Sequence, residues 1–196
     1  MSGRPAAFLD RDGTLNQLVA DASSGLPESP LHVADVRLLD GAVAGALALA
    51  DAGLALVCVT NQPAAAKGTV SVEQLLLVHE RVVALLREQG VQLDASRLCL
   101  HHPQAVVPEL AGPCACRKPA PGMLLDAAKE LGLDLARSWM VGDTDADVAA
   151  GRAAGARTVL IMQPESAHKR VAAMSPDLVA ADLADAAAQV LGGSWT

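Results

Sequence analysis

The chain has 196 residues, of which 52% are hydrophobic and only 2% aromatic, and its formal net charge at pH 7 is −7. The length predicts a single domain over residues 1–196, and the acidic charge argues against a nucleic acid as partner, because binding a phosphate backbone needs a basic surface. No run of residues is long and apolar enough to span a membrane, and the N-terminus lacks a signal-peptide pattern, so we expect a cytoplasmic protein whose four cysteines are thiols or metal ligands rather than disulfides.

Short apolar runs alternate with helical patterns along the chain. In order, we predict a strand at 6–9, a loop excursion with room for a hairpin at 16–40, a helix at 41–51, a strand at 54–59, a helix at 71–90, an irregular loop at 94–121, a helix at 123–131, a strand at 139–141, a helix at 147–154, a strand at 158–161, and a further strand and helix within 176–191. This alternation predicts an α/β fold with an open, mostly parallel, Rossmann-like sheet and helices on both of its faces.

Polar side chains follow three of the predicted strands at the point where each strand ends. Asp10 and Asp12 follow the first strand, Thr60 and Asn61 the second, and Asp143 a later one. Ligands of such sheets bind at the carboxyl ends of the strands, so we expect these side chains to lie together. Two carboxylates this close repel unless a cation lies between them, and Mg²⁺ prefers oxygen ligands of this kind. Taken alone, the first pair could be a turn and Asp143 a helix cap.

The order of these residues resembles the four motifs of the haloacid-dehalogenase (HAD) superfamily of phosphatases. The matching residues are Asp10-Arg11-Asp12-Gly13-Thr14, Thr60, Lys118, Gly142-Asp143 and Asp147. The resemblance implies an HAD-type sheet and a reaction through an aspartyl-phosphate, with Asp10 as the nucleophile and Asp12 as the general acid and then the base. It further implies that Thr60 binds the phosphoryl oxygens and that Lys118 stabilises the charge that develops on them.

The same resemblance implies a catalytic Mg²⁺ held by Asp10, Asp143 and the backbone carbonyl of Asp12. The chemistry agrees, because a carboxylate attacks phosphorus well only where cations cancel the charge repulsion. Asp147 matches the family's distal acidic position, where it would hold the motif's lysine or a metal-bound water. Asp145 matches no such position and is expected to face solvent.

A second constellation lies in the irregular segment and predicts a zinc-binding loop at about residues 97–119. Cys99 and His101 form one close pair of ligands, and Cys114 and Cys116 form another. Two such pairs separated by a loop are typical of a closed, structural, tetrahedral Zn²⁺ site. Zinc would also order a loop that is otherwise too long to be stable. The alternative is that these cysteines are ordinary small core residues.

Further residues are expected to be structural. His102 could compete with its neighbour as the fourth zinc ligand, and Cys58 is expected to be a core residue of its strand. The isolated histidines are interpreted as surface or hydrogen-bonded residues and the tryptophans as packing residues: His32, His79, His168, Trp139 and Trp195.

The zinc loop makes the resemblance more specific, because it is shared by only some of the HAD phosphatases. The segment from Cys99 to Pro119, together with Thr60-Asn61-Gln62, resembles the D-glycero-D-manno-heptose-1,7-bisphosphate phosphatases and their relatives, the histidinol-phosphatases. The resemblance implies substrate contacts from Asn61, Gln62, Arg117 and Lys118, with Arg117 recognising a second phosphate or a sugar hydroxyl. The chain departs from the pattern after Asn16, where a Ser- and Pro-rich segment replaces a short Gly-Tyr substrate loop.

The leading interpretation is a monomeric, Mg²⁺-dependent phosphatase that acts on a small phosphorylated metabolite, heptose bisphosphate in particular. Histidinol phosphate or another sugar phosphate is the alternative within the same chemistry. A different class would be a non-catalytic interaction protein that docks a partner through its zinc loop. A nucleic-acid 3′-phosphatase is disfavoured by the acidic charge and the scarcity of aromatic side chains.

Overall fold

The computed structural model describes residues 3–21, 24–172 and 174–193. Its strands are β1 (Ala6–Leu9), β2 (Val19–Ala20), β3 (Pro27–Glu28), β4 (Ala55–Asn61), β5 (Ala95–Cys99), β6 (Trp139–Gly142), β7 (Arg157–Ile161) and β8 (Leu178–Ala180). Its α-helices are α1 (Ala42–Asp51), α2 (Val72–Glu88), α3 (Gly122–Leu131), α4 (Asp145–Ala154) and α5 (Leu183–Gly192). Short 3₁₀ helices span 33–35, 108–110, 135–137 and 164–169.

Within these residues, six strands form a parallel sheet in the order β5-β4-β1-β6-β7-β8. Helices α1, α2 and α5 cover one face, and α3 and α4 cover the other. Strand β1 shows how the sequence produces this arrangement, because alternate side chains point to opposite faces. Ala7 and Leu9 join the first core, whereas Ala6 and Phe8 join the second. The predicted fold class is confirmed.

The predicted strands and helices are found close to their expected bounds, with one strand missed. Strand β5 lies inside the segment predicted to be irregular, where it pairs with β4 at the edge of the sheet. Only Cys99 of its five residues is fully buried. Its sequence, Ala-Ser-Arg-Leu-Cys, therefore has no continuous apolar run of the kind that marks a central strand. The 3₁₀ helix at 164–169 was also absent from the sequence prediction.

The excursion before α1 contains the expected hairpin, in which β2 and β3 pair antiparallel. Trp139 is buried in β6, with the Arg157 guanidinium 5.4 Å from its ring centre, so its predicted packing role is confirmed. Cys58 is fully buried within β4, as expected. Trp195 lies outside the described residues. In the described part of the chain, no helix has both the length and the apolar character that a membrane crossing requires.

Candidate active site

The carboxyl ends of three adjacent strands meet at one edge of the sheet. Strand β1 lies between β4 and β6, so Asp10, Thr60 and Asp143 are brought together as the sequence predicts. The backbone N–H of Asp10 donates to Val141 O at 2.9 Å, which fixes the first residue after β1 against β6. Gly13 follows with a φ of +85°, and a Cβ there would collide with the Asp143 carboxylate. Glycine at this position therefore lets the two strand ends approach closely.

Lys118 is the buried cation at the centre of the site. Its Nζ lies 2.8 Å from Asp10 Oδ1 and 2.6 Å from Asp147 Oδ1, and it donates to Val59 O at 2.8 Å. Burial alone would lower the pKa of Lys118, but the Asp10 and Asp147 carboxylates outweigh it and raise that pKa. Lys118 is therefore a fully charged ammonium group beside the predicted nucleophile.

Asn61 holds the backbone of Lys118. Its Nδ2 donates to Lys118 O at 2.9 Å, and its Oδ1 accepts from Lys118 N at 3.0 Å. Asp147 is fixed as well, because the backbone N–H and the hydroxyl of Thr144 donate to its Oδ2 at 3.0 Å and 2.6 Å. This capping interaction at the start of α4 orients the carboxylate that faces the ammonium group.

Three buried carboxylates form a group able to hold a metal ion. Asp10, Asp143 and Asp147 each offer an oxygen, and these atoms lie within 4.8 Å of one another. Burial raises the pKa of Asp10 to about 6, with Lys118 opposing and Asp147 reinforcing the rise. Burial, with repulsion from Asp10 and Asp147, raises the pKa of Asp143 well above its usual value. Among the described residues, Asp143 Oδ1 has no hydrogen-bond partner. A divalent cation would relieve this repulsion, so the residues fit Mg²⁺.

The carboxylate of Asp12 is not part of that group and is held by several donors. Arg11 donates from Nε to Oδ1 at 3.1 Å and from Nη2 to Oδ2 at 3.0 Å, and Asn16 Nδ2 donates to Oδ1 at 2.9 Å. Burial would raise the pKa of Asp12, but the Arg11 guanidinium and hydrogen bonds from Arg11, Asn16 and Ser29 outweigh it and lower that pKa. Arg11 itself is entirely buried. The side chain of Asp12 is thus set in one orientation.

Gln62 lies elsewhere than the sequence prediction placed it. Its Nε2 donates to Asp12 Oδ2 at 2.5 Å and to Thr60 Oγ1 at 2.9 Å, and its side chain is buried outside the cavity above Asp10. It therefore contacts two other site residues rather than the space open to a substrate. Gln62 follows the last residue of β4, and its backbone N–H donates to Cys99 O at 2.8 Å, so the alternation of the strand gave no signal for the direction of its side chain.

His79 is a correction to the sequence interpretation. It is buried in α2, and its Nδ1 has no hydrogen-bond partner within the described residues. Burial and the nearby Arg11 charge lower the pKa of His79 to about 4. The signal was present in the sequence, because His79 follows Leu75 by four positions on the apolar stripe of the helix.

A cavity of about 300 Å³ opens above Asp10. The polar and charged residues lining it are Asp10, Asp12, Glu28, Ser29, Thr60, Asn61, Lys67, Arg117, Lys118, Thr144 and Lys169. No sequence motif marks Glu28, Ser29, Lys67 or Lys169, which come from the hairpin, a loop and the 3₁₀ helix at 164–169. Asp145 lies outside this lining, and its Oδ2 accepts a hydrogen bond from Ala172 N at 2.6 Å.

The predicted zinc ligands converge beside this cavity. Ligand atoms of Cys99, His101, Cys114 and Cys116 all lie within 4.8 Å of one another. The Sγ atom of Cys99 lies 3.7 Å from that of Cys114 and 2.9 Å from that of Cys116. Two thiolates on one tetrahedral Zn²⁺ are expected ~3.8 Å apart, so the first distance suits the ion and the second must lengthen when it binds. Cys116 Sγ lies 3.5 Å from His101 Nδ1. His102 is turned to the backbone of its own loop, where its Nδ1 accepts from Gln104 N at 3.1 Å. The donor set fits a structural zinc ion.

The zinc cluster is joined directly to the cavity. Arg117 follows Cys116 and donates from Nη1 to His101 O at 3.2 Å. Lys118 comes next along the chain. Strand β5 supplies Cys99, and the loop after it supplies the other three zinc ligands and also carries the two cavity cations.

Comparison with known proteins places this site in a family. Residues 115–186 match the HAD-hydrolase-like family model. The D-glycero-beta-D-manno-heptose-1,7-bisphosphate 7-phosphatase of Yersinia pestis is 40% identical over 92% of each chain, and the Escherichia coli K12 protein of the same name is 37% identical over 92% of this chain and 91% of its own. The crystal structure of the D,D-heptose 1,7-bisphosphate phosphatase of B. bronchiseptica, complexed with magnesium and phosphate, superposes with a TM-score of 0.79 at 30% identity, covering 95% of this chain and 98% of that one. Since identity of this level extends over nearly the whole length, the protein belongs to the HAD-like hydrolases.

Proposed function

We propose that this chain is a phosphomonoester hydrolase that works through an aspartyl-phosphate on Asp10. The observation that carries the proposal is the pairing of Asp10 with the buried ammonium of Lys118, at the base of a cavity that also reaches the clamped Asp12. A carboxylate in contact with a cation can approach a phosphate, which would otherwise repel it.

In the first step an oxygen of Asp10 bonds to phosphorus while the bond from phosphorus to the leaving oxygen breaks. With the substrate bound, the phosphate dianion offsets the Arg11 charge beside Asp12 and favours its protonated form, so Asp12 takes up a proton and then gives it to that leaving oxygen, and the product departs as an alcohol. In the second step Asp12 takes a proton from water, the water oxygen bonds to phosphorus, and the Asp10–phosphorus bond breaks. Thr60 and Lys118 donate hydrogen bonds to the phosphoryl oxygens in both steps, where negative charge is greatest.

Mg²⁺ would be held by Asp10, Asp143 and the backbone carbonyl of Asp12, and it would supply positive charge that offsets the anionic carboxylates and phosphate. Asp147 would keep Lys118 charged and in place through their 2.6 Å contact. In this arrangement Gln62 and Asn61 position other residues: Gln62 orients Asp12, and Asn61 fixes the backbone of Lys118. Zn²⁺ on the four ligands of the adjacent loop would be structural, since they leave no open coordination position.

The substrate we propose is D-glycero-β-D-manno-heptose 1,7-bisphosphate, on which relatives at 37–40% identity are named to act. The cavity supports a doubly charged substrate, because Lys67, Arg117 and Lys169 add positive charge beyond the reacting position. We further propose that the enzyme is a monomeric cytoplasmic protein of one domain. Support for one domain comes from the sheet, since both hydrophobic cores are built on its two faces.

The test is a phosphate-release assay with Mg²⁺ on p-nitrophenyl phosphate, both anomers of the heptose bisphosphate, histidinol phosphate and common sugar phosphates. We expect hydrolysis of the generic ester and a preference for the bisphosphate. Release from none of these compounds by zinc- and magnesium-loaded protein would favour the non-catalytic interaction protein. A preference for histidinol phosphate would keep the chemistry and change the substrate.

A further inference from the structure

Two segments without a role in the proposed chemistry meet at the mouth of the cavity. Glu28 is the last residue of β3 in the hairpin, and Lys169 is the last residue of the 3₁₀ helix at 164–169. Both line the same cavity as Asp10. Lys169 Nζ lies 2.8 Å from Glu28 Oε2, so this ion pair joins the two segments beside the cavity.

Hydrogen bonds connect both segments of this ion pair to the carboxylates of the candidate active site. On the hairpin, Ser29 follows Glu28 and hydrogen-bonds Asp12. On the other side, the Ser166 hydroxyl donates to the Asp143 carboxylate, and Arg170 Nη1 donates to Asp143 O at 3.0 Å. Lys169 is therefore held at a fixed place relative to the reacting centre, although its own segment is a short surface turn.

The lysines that line the cavity differ in their ion-pair partners. Lys118 is already paired with Asp10 and Asp147 and would serve the reacting phosphate. Among the described residues, Lys169 is paired only with Glu28, whose side chain is 48% exposed against 27% for Lys169. Ion pairs this exposed to water contribute little free energy. A phosphate dianion carries more charge and more acceptor oxygens than a carboxylate, so it can replace Glu28 on the ammonium group.

We propose that Lys169 is a specificity-determining residue that binds the non-reacting phosphate of a sugar bisphosphate, and that Glu28 is the group this phosphate displaces. The exchange makes Lys169 a second cation, beside Arg117, among the lining residues available to that phosphate. Glu28 then acts as a selective barrier, because a ligand without a second anionic group gains nothing by displacing it. This inference rests on the proposed function and identifies the part of the cavity that reads the distal end of the substrate.

The experiment compares kcat/KM for the heptose bisphosphate with kcat/KM for p-nitrophenyl phosphate, expressed as a selectivity ratio. Lys169→Met keeps the aliphatic stem and removes the charge, and it should lower this ratio about 10- to 100-fold, as for a lost charge-assisted contact. Glu28→Gln removes the competitor and should raise the ratio about two- to fivefold, the scale of an exposed ion pair. Lys129→Met, an exposed lysine of α3 outside the cavity, is the matched control and should leave the ratio unchanged.

If the distal phosphate replaces Glu28 on Lys169, the two substitutions change the selectivity ratio in opposite directions. If the ion pair only holds the two segments together, both substitutions lower the ratio, because both break the same ion pair. If Glu28→Gln lowers the ratio as much as Lys169→Met does, the pair must stay intact and the proposal is wrong. A change of less than twofold for Lys169→Met overturns it as well. Absence of p-nitrophenyl phosphate hydrolysis in the wild-type protein would instead contradict the proposed function itself.

Discussion

Gln62 offers a sharp test of how Asp12, the proposed acid–base carboxylate, is positioned. Gln62→Leu removes an amide donor at nearly constant volume from a buried position. The lost contacts are those from Nε2 to Asp12 Oδ2 at 2.5 Å and to Thr60 Oγ1 at 2.9 Å. Arg11 and Asn16 still hold Asp12 in the variant, so we expect the fold to survive and the carboxylate to lose one of its restraints.

The magnitude follows from the type of hydrogen bond. A hydrogen bond to a charged acceptor contributes ~1.5–3 kcal/mol, which corresponds to about 10- to 150-fold in kcat/KM if all of it serves the transition state. The loss should depend on the leaving group. A sugar alkoxide needs the proton of Asp12 to depart, whereas p-nitrophenolate is stable enough to leave with little help. We therefore expect the full loss with a sugar phosphate and a much smaller one with p-nitrophenyl phosphate.

The assay measures kcat/KM for both esters in Gln62→Leu and in a matched control, Gln189→Leu. Gln189 donates to Val179 O at 2.9 Å and to Asp185 Oδ1 at 3.1 Å, in the part of the fold formed by β8 and α5. Any effect through Thr60 would fall equally on both substrates, because both present the same phosphoryl group. Equal losses on the two esters would therefore refute positioning of Asp12, and no loss on either would remove Gln62 from the reaction altogether.

Four further predictions address the nucleophile, the zinc ion, the second phosphate and a buried histidine. Asp10→Asn keeps the shape but removes the attacking charge, so turnover should vanish with an unchanged melting temperature, and clear residual turnover would contradict the assignment. Metal analysis should find about one zinc per chain, and Cys114→Ser should lose it and lower the melting temperature; a zinc-free protein with full stability and activity would show the site to be dispensable. Arg117→Ala should raise KM for the bisphosphate about 10- to 100-fold and barely change KM for p-nitrophenyl phosphate, whereas equal changes would assign the guanidinium to the reacting phosphate. His79 has a pKa of about 4 in the folded protein, below its value in the unfolded chain, so the unfolded chain binds more protons as the pH falls below neutrality. Between pH 7 and 5 the wild type should therefore lose about 2 kcal/mol more free energy of unfolding than His79→Leu. Equal losses in the two proteins, measured by denaturant unfolding at each pH, would contradict this.

The central sheet was predictable from the sequence because burial on both faces leaves a strong signal. Strand β4 is a continuous apolar run up to Thr60, and β1 is buried at all four positions. Strand β5 gives no such signal, because it lies at the sheet edge and carries Ser96 and Arg97 in its middle. Its pairing with β4 is a tertiary interaction, which local pattern cannot reveal.

The same distinction applies to the site. Residues fixed by strand ends, such as Asp10 and Asp143, could be predicted because all parallel strands of a sheet end at the same edge. Lys67 and Lys169 could not, since loops and a 3₁₀ turn bring them to the cavity from distant parts of the chain. The role of Gln62 was missed for a third reason: its neighbours in the sequence suggested a substrate contact, and only packing shows that its amide turns to Asp12.

Zinc bears on the reaction without touching the substrate. Lys118 is held by Val59 O at its ammonium group and by Asn61 at its backbone, and both contacts come from the rigid strand β4. On the other side Lys118 is connected to Cys116, two positions earlier in a loop that the four ligands close. Without zinc the four ligands no longer close this loop, and the contacts from β4 alone must order the segment that carries Lys118. Removal of zinc should therefore lower kcat for every phosphate ester, whereas loss of Arg117 affects only those with a distal charge.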